Sequence, residues 1–175
     1  MIFLDCGNSQ IKAQYFQTDR LQASFSCSYR GHWNHRLSRW LESLECTRAY
    51  LCSVLDRERQ AELDVCLAHQ FGAAVTRFSS EQQALGVTNG YEKPDRLGVD
   101  RWMAMLGAAG MTESDCIVID AGSAITVDLL RGDGCHLGGA ILSGFNTSLE
   151  AFKGIFSHID FKHPAIADST MPGCS

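Results

Sequence analysis

Two segments of this chain share one pattern, an apolar run that ends in Asp and is followed by a small residue, Gly and a small polar residue. They read Met1-Ile2-Phe3-Leu4-Asp5-Cys6-Gly7-Asn8-Ser9 and Cys116-Ile117-Val118-Ile119-Asp120-Ala121-Gly122-Ser123-Ala124. A strand that delivers a carboxylate to a Gly turn offers an acid to a metal ion and backbone N–H groups to phosphate oxygens. Either copy alone also fits an ordinary Asp-Gly hairpin. Two copies indicate two halves that close on one nucleotide.

Three further charged residues lie where they can serve such a site. Lys12 follows the first turn, where it either reaches a terminal phosphate or is a solvated strand residue. Asp100 and Arg101 follow Gly98 at the start of a helical pattern. An acid in the first turn of a helix is favoured by the helix dipole whatever its role. Arginine supplies a planar fork that suits a substrate carboxylate. The pattern alone leaves both alternatives open for each residue.

Other catalytic patterns are missing from the sequence. The histidines show no HExxH or comparable spacing, so we expect no zinc site. No GxSxG elbow, Walker A loop or strand-linked GxGxxG is present, and Gly138-Gly139 is interpreted as close backbone packing. Trp33 and Trp40 recur at helical spacing and are assigned to the core.

The elements that must position these residues follow from hydrophobic periodicity. After residue 79 the periodicity lapses through Asn89-Gly90 and Pro94, which predicts a loop or linker, and then the opening strand pattern restarts. The order predicts an α/β protein. The predicted elements are strands at 1–5, 11–16, 21–28, 47–54, 74–78, 116–120, 125–131 and 136–142, and helices at about 33–44, 57–69, 98–111 and 146–155.

Composition narrows the class of protein. The 175 residues are 45% hydrophobic and 20% charged, which is typical of a soluble globular protein. A net charge of −5 without a basic cluster argues against nucleic acid as a partner. The chain has no long apolar run and its start lacks signal-peptide features, so we expect a cytoplasmic protein without a membrane partner. The eight cysteines are scattered without CxxC pairs, which predicts free thiols.

As a set, these motifs resemble those of type III pantothenate kinases, members of the actin-like ATPase superfamily and relatives of the Bvg accessory factor proteins. Their order and spacing fit that family from the first residue to about residue 155. The matching segments are Asp5-Cys6-Gly7-Asn8-Ser9 with Lys12, Asn89-Gly90-Tyr91, Gly98-Val99-Asp100-Arg101, Asp120-Ala121-Gly122-Ser123-Ala124 with Thr126 and Asp128, and Gly134-Cys135-His136-Leu137-Gly138-Gly139 leading to Gly144.

The resemblance implies a fold of two ribonuclease H-like (actin-like ATPase) domains with mixed sheets. Residues 1–95 would form the first domain with the first phosphate loop. Residues 96–175 would begin the second domain, with the catalytic Asp and the second phosphate loop, and its C-terminal part would be missing. The family is homodimeric, so the resemblance also implies a homodimer whose substrate pocket the partner chain completes.

The resemblance implies ATP-dependent phosphorylation of pantothenate at its primary hydroxyl, the first step of coenzyme A biosynthesis. Asp100 would be the general base, Asp5 would help to hold Mg²⁺, and Asp120 would bind K⁺ or NH₄⁺. The residues implied for ATP are Asp5, Cys6, Gly7, Asn8, Ser9, Gln10, Ile11, Lys12 and Ser123. Those implied for pantothenate are Tyr91, Gly98, Val99, Asp100 and Arg101, with Arg101 expected to grip the substrate carboxylate through a bidentate pair.

The sequence departs from the family pattern in three respects, and these departures affect what we expect of the protein. Ser123 stands where Thr is frequent, and Ser143 stands where Pro is usual. The family continues with a Thr that reaches pantothenate across the dimer and a Gly-rich segment for adenosine, and residues 172–175 resemble the stretch before that Thr. We therefore expect a truncated or partly observed kinase. The alternatives are a binding or regulatory protein like the Bvg accessory factors, another small-molecule kinase, or a polyphosphate phosphatase.

Overall fold

The first half of the chain builds a mixed five-stranded sheet. The computed structural model describes residues 1–156. Strands β1, β2 and β3 form an antiparallel meander, β4 and β5 join β1 in parallel, and the strand order is β3-β2-β1-β4-β5. The strands are β1 (Ile2–Cys6), β2 (Gln10–Gln17), β3 (Arg20–Ser28), β4 (Ala49–Ser53) and β5 (Val75–Arg77).

One face of this sheet carries the larger core. Successive residues of a strand point to opposite faces, so Ile2 and Leu4 of β1 are buried whereas Asp5 points to the other side. Helices α1 (Trp33–Glu42) and α2 (Arg57–Phe71) cover the buried face. Trp33 is buried and Trp40 packs against the same core, as the sequence predicted. Asp56 begins α2 by accepting a hydrogen bond from the Arg59 backbone N–H.

The second half repeats the opening meander. Strands β8, β9 and β10 are antiparallel in the order β10-β9-β8, which matches the arrangement of β3, β2 and β1. Helix α3 packs on one face of this sheet, where Trp102 and Met105 meet Leu130 in a second core. The elements are α3 (Val99–Ala109), β8 (Cys116–Ala121), β9 (Ala124–Leu130), β10 (His136–Ser143) and α4 (Phe145–Ile155).

The segment predicted as a loop contains short regular elements. β6 (Gln83–Ala84) and β7 (Val87–Thr88) form a hairpin, and a 3₁₀ turn follows at Pro94–Arg96. Two-residue strands are too short to show an alternating pattern, so periodicity did not indicate them. The Thr88 backbone N–H donates to the Gly134 carbonyl, which ties the hairpin to the second half.

The face of the second sheet opposite α3 is apolar and exposed in the described part of the chain. Ile117, Ile119, Leu129 and Leu142 are each more than two-fifths exposed there. Helix α4 has no buried residue within the described range. None of the helices among residues 1–156 is long and apolar enough to cross a membrane.

Candidate active site

The two repeated motifs form turns that face each other. We call residues 5–9 the first acidic turn and residues 120–124 the second acidic turn. The Ser123 hydroxyl donates to the Ser9 hydroxyl at 2.6 Å, so the two turns are in direct contact. Between them lies a cavity of about 450 Å³. Its lining residues are Asp5, Gly7, Asn8, Ser9, Gln10, Lys12, Cys52, Asp100, Met103, Ala104, Asp120, Gly122, Ser123, Ala124 and Thr126.

Strand register explains why polar groups gather at this cavity. In the β1–β2 pair Asp5 lies opposite Lys12, and in the β8–β9 pair Asp120 lies opposite Thr126. Directly opposite residues of an antiparallel pair point to the same face of the sheet. Each meander therefore presents its acid beside a polar partner from the next strand. The equivalent positions of Asp5 and Asp120 follow from the repeated topology.

Three carboxylates share the electrostatic environment of the cavity. Loss of water contact raises the pKa of Asp5, Lys12 lowers it, and the negative charges of Asp120 and Asp100 raise it further. Burial raises the pKa of the neighbouring Cys52 thiol to about 12, with additional contributions from Asp5 and Asp100. A bound cation would offset this concentration of negative charge.

The donor set suits a hard cation that keeps some of its own ligands. Within residues 1–156 no three His, Cys, Asp or Glu side chains are close enough to enclose a metal ion by themselves. Mg²⁺ in phosphate-transferring sites is ordinarily held by one or two carboxylates together with waters and substrate phosphates. The single carboxylate of the first acidic turn, Asp5, is compatible with that mode of binding, and the Asp120 carboxylate lines the same cavity.

The start of α3 holds the third carboxylate. The Asp100 carboxylate accepts a hydrogen bond from the Arg101 backbone N–H at 2.9 Å, so it folds back over the first turn of the helix. A Cβ atom at Gly98 would lie only 2.5 Å from Asp100 Oδ1, which explains glycine at that position. The carboxylate faces the cavity together with Met103 and Ala104.

Arg101 does not present an open fork to the cavity. Its side chain is 5% exposed, and its Nε and Nη2 donate to the two carboxylate oxygens of Asp128 at 2.9 and 2.6 Å. Its Nη1 donates to the Tyr91 hydroxyl at 3.2 Å. The hydrogen bond to Asp128 raises the pKa of Arg101. Because Asp128 already occupies both Nε and Nη2, Arg101 has no free fork for the bidentate pair with a substrate carboxylate that the resemblance implied.

The remaining residues implied by the resemblance do not line the cavity. Cys6 and Ile11 are fully buried in the first core, so their side chains do not line the cavity. Val99 begins α3 beside Asp100, next to the cavity. Tyr91 lies beside Arg101 and not in the cavity wall. The residues 172–175, which the sequence analysis compared with the family, lie outside the described residues.

Two residues of the site region were missed by sequence reasoning as functional groups. Asp128 is 1% exposed and bridges Arg101 to His136, whose Nε2 lies 2.9 Å from Asp128 Oδ1. The signal that could have found the pair is a carboxylate in a strand between apolar neighbours, because a buried charge needs a partner. Gly139 is required beside this pair, since a Cβ there would collide with both Asp128 and Arg101. The close packing predicted for Gly138-Gly139 is confirmed at Gly139 but is wrong at Gly138, where nothing lies within 4 Å of an added Cβ and glycine suits the positive φ of 117°.

Known proteins resemble this chain over most of its length. The family profile described as type III pantothenate kinase matches residues 1–170. The type III pantothenate kinase of Pseudomonas fluorescens is 40% identical over 143 residues, which cover 81% of this chain and 57% of that protein. The one from Halorhodospira halophila is 37% identical over 150 residues, covering 82% and 59%. The chain thus spans under three-fifths of the length of these relatives.

A solved structure shows the same fold. A conserved Baf family protein from Campylobacter jejuni superimposes with a TM-score of 0.52 at 23% identity, covering 99% of this chain and 69% of that chain. This likeness concerns the fold alone. The profile match, the relatives and the acid-tipped meanders lead to one conclusion, that the chain belongs to the type III pantothenate kinase family.

Proposed function

We propose that this protein transfers the γ-phosphate of ATP to the primary hydroxyl of pantothenate and forms 4′-phosphopantothenate, the first step of coenzyme A biosynthesis. The observation that carries the proposal is the direct contact between Ser9 and Ser123, which brings both acidic turns and three carboxylates to one cavity. Family membership supplies the substrate pair. The regulatory alternative receives no support from these comparisons.

In the proposed complex, ATP lies along the first acidic turn and β2. Residues 5–12 supply backbone N–H groups and the Lys12 ammonium to the phosphates, and Ser123 contacts them from the second acidic turn. Asp5 helps to hold Mg²⁺, and Asp120 holds K⁺ or NH₄⁺. A cation bound at Asp5 would offset the burial and the Asp120 and Asp100 charges that raise the pKa of Asp5.

In the same proposal Asp100 is the general base. Phosphoryl transfer depends on positioning and charge neutralisation more than on covalent help from the protein. Asp100 reaches the cavity from the helix start, where it takes the proton of the pantothenate hydroxyl as the new O–P bond forms. Pantothenate is held by Tyr91, by Gly98 and Val99 at the start of α3, and by Arg101. Since the Arg101 fork pairs with Asp128, we assign Arg101 a contact through its Nη1 side only.

We further propose that residues 1–95 and 96–175 belong to two ribonuclease H-like domains of a cytoplasmic homodimer. The same antiparallel meander opens both sheets, which supports an internal duplication. Among residues 1–156, the second sheet has three antiparallel strands, and the parallel strand pairs belong to the first sheet. We propose that the complete second sheet is mixed as well, with parallel strands beside its antiparallel ones.

The test is pantothenate-dependent ADP formation by the full chain in a coupled assay with Mg²⁺ and K⁺. Asp100→Asn should lower this turnover by about 10²- to 10⁴-fold, the range typical of a general base. ATP binding by calorimetry should persist in that variant. Asp95→Asn, an exposed acid just before α3, is the matched control and should keep the wild-type rate.

Each alternative has its own signature in this experiment. Phosphate release from ATP or polyphosphate without pantothenate would identify a phosphatase. Turnover with another hydroxyl compound but not pantothenate would identify a different small-molecule kinase. Binding of ATP without any turnover would favour the regulatory alternative. Any of these results contradicts the proposal.

A further inference from the structure

A buried polar network connects the second sheet to the segment before α3. Asp128 of β9 accepts two hydrogen bonds from Arg101, and the His136 ring lies 2.9 Å from the same carboxylate. The side chains of all three are at most 5% exposed. The proposed reaction assigns no role to Asp128 or His136. Burying a charged group costs free energy unless all of its hydrogen-bonding partners are present. The presence of this buried network therefore needs an explanation.

The hydrogen bonds determine which nitrogen of His136 carries the proton. The Gly90 backbone N–H donates to Nδ1 of His136 at 3.4 Å, so Nδ1 must be unprotonated. The proton of the neutral ring then lies on Nε2, which donates to Asp128. His136 therefore connects the Asp128 carboxylate to the backbone directly before Tyr91. A doubly protonated ring would lose the contact with Gly90.

Tyr91 is held at both of its ends by groups that Asp128 orients. Its hydroxyl accepts from Arg101 Nη1, and its ring stacks on His136 with centroids 6.0 Å apart and planes 10° apart. Its backbone N–H donates to Asn89 Oδ1 at 3.0 Å. Loss of the Asp128 carboxylate would release both Arg101 and His136, and with them the Tyr91 side chain.

The same network fixes the start of α3. Arg101 follows Asp100 directly, and its guanidinium is bound to a strand of the second sheet. The first turn of α3 can therefore rotate little relative to β9. Bonds of this kind, between ionised partners and shielded from water, are stronger and more directional than neutral ones.

We propose that Asp128 and His136 are positioning residues for Tyr91 and Arg101, the two side chains beside the cavity that the proposed function assigns to pantothenate. This inference rests on the proposed function. Asp128 sets the orientation of the Arg101 fork and of the His136 ring, and these two groups set the position of Tyr91. Neither Asp128 nor His136 touches the reacting atoms.

The first experiment compares Michaelis constants. Asp128→Asn should raise KM for pantothenate at least about tenfold, as expected when a charge-assisted hydrogen bond is removed. KM for ATP should stay within about twofold. Asp133→Asn is the matched control, because Asp133 pairs with Arg131 at the surface and both side chains are about half exposed. Unchanged pantothenate KM in Asp128→Asn would overturn the inference.

A neutral substrate analogue separates positioning from simple charge competition. Pantothenol carries a hydroxyl in place of the pantothenate carboxylate. A positioning role predicts that Asp128→Asn weakens both compounds alike. If Asp128 merely competed with the substrate carboxylate for Arg101, the variant would bind pantothenate more tightly and leave pantothenol unaffected. That pattern would contradict our inference.

Two substitutions at His136 test the network if Asp128→Asn does not fold. His136→Gln keeps a donor directed at Asp128, and His136→Asn keeps an acceptor near the Gly90 N–H. Since His136 performs both tasks at once, each variant should raise KM for pantothenate, and neither should change KM for ATP. Wild-type constants in both variants would exclude a role for His136.

A spectroscopic readout keeps this inference separate from the proposed function. In ¹⁵N NMR spectra of the ligand-free protein, His136 should show a proton on Nε2 and a bare Nδ1, and the Tyr91 amide should shift in Asp128→Asn. A proton on Nδ1, or an unshifted amide, would overturn the network whatever the enzyme's activity. Absence of pantothenate turnover in the wild type with these signals intact would instead remove only the proposed function.

Discussion

The Ser123 hydroxyl donates a hydrogen bond to the Ser9 hydroxyl at 2.6 Å, although 114 residues separate them in the chain. This contact joins two turns that each carry an acid and a run of backbone N–H groups. Two further hydrogen bonds hold the second turn in place, because Thr147 Oγ1 and the Gly144 N–H both donate to the Ser123 carbonyl. Phosphate oxygens that enter the cavity would compete for the same two hydroxyls.

Substitution of these serines should affect nucleotide binding more than stability. A solvent-exposed bond between neutral hydroxyls contributes at most about 1 kcal/mol to folding. We therefore expect a coupling free energy of unfolding below that value in a Ser9→Ala and Ser123→Ala double-mutant cycle. ATP affinity from calorimetry should fall severalfold in each single variant. Ser114→Ala, at an exposed position outside the cavity, should leave ATP affinity unchanged.

Gly98→Ala should lower activity with little loss of stability. The new Cβ would displace the Asp100 carboxylate and break its hydrogen bond from the Arg101 N–H, but no backbone atom lies near that Cβ, so the backbone needs no rearrangement. A displacement of the proposed base by about 1 Å costs on the order of a hundredfold in rate. The measurement is kcat together with the free energy of urea unfolding.

Gly107→Ala provides the control on the same helix. Nothing lies within 4 Å of a Cβ atom at Gly107, so alanine should raise the free energy of unfolding by about 0.5–1 kcal/mol and preserve the rate. Equal rates in the Gly98 and Gly107 variants would show that the Asp100 position is unimportant for turnover.

Asp5→Asn should stabilise the protein at neutral pH and abolish its activity. The pKa of Asp5 is raised in the folded state, mainly by loss of water contact and then by Asp120 and Asp100, with Lys12 opposing them. When the pKa of an acid is higher in the folded than in the unfolded state, ionising it costs more free energy in the folded protein. The free energy of unfolding therefore decreases as the pH rises from the ordinary carboxyl pKa to the raised one. The asparagine variant lacks this penalty.

The check is urea unfolding of both proteins across that pH window without divalent ions. The variant should be the more stable protein at pH 7, and the difference should vanish in acid, where Asp5 is protonated. Mg²⁺ with ATP should stabilise the wild type alone. A variant less stable than the wild type at pH 7 would show that the Asp5 charge is stabilised in the fold.

Cys52 should resist alkylation although it lines the cavity. Burial and the nearby Asp5 and Asp100 charges raise the pKa of its thiol to about 12, and only the thiolate reacts quickly. Iodoacetamide at pH 8 should modify Cys52 much more slowly in the native protein than in urea, as followed by peptide mass spectrometry. Equal rates in both conditions would argue against the burial of this thiol.

The repeated acid-tipped strand and the order of elements were predictable because both depend on local periodicity. The structure confirms the predicted helices and longer strands with small shifts at their ends, and it places Asp5, Asp100 and Asp120 around one cavity. Local patterns do not report which distant charges meet. The pairing of Arg101 with Asp128 depends on how α3 packs on the second sheet, so the sequence could not show that Asp128 occupies the Arg101 fork.

The exposed apolar face of the second sheet, opposite α3 in the described part of the chain, affects how every experiment suggested above should be run. A contiguous apolar surface is exposed there in the described part of the chain, formed by Ile117, Ile119, Leu129 and Leu142. Such surfaces promote self-association, which warming and sulfate both strengthen. Rate and affinity measurements on this chain will therefore be least affected by aggregation in cool, sulfate-free buffers, with light scattering as the accompanying control.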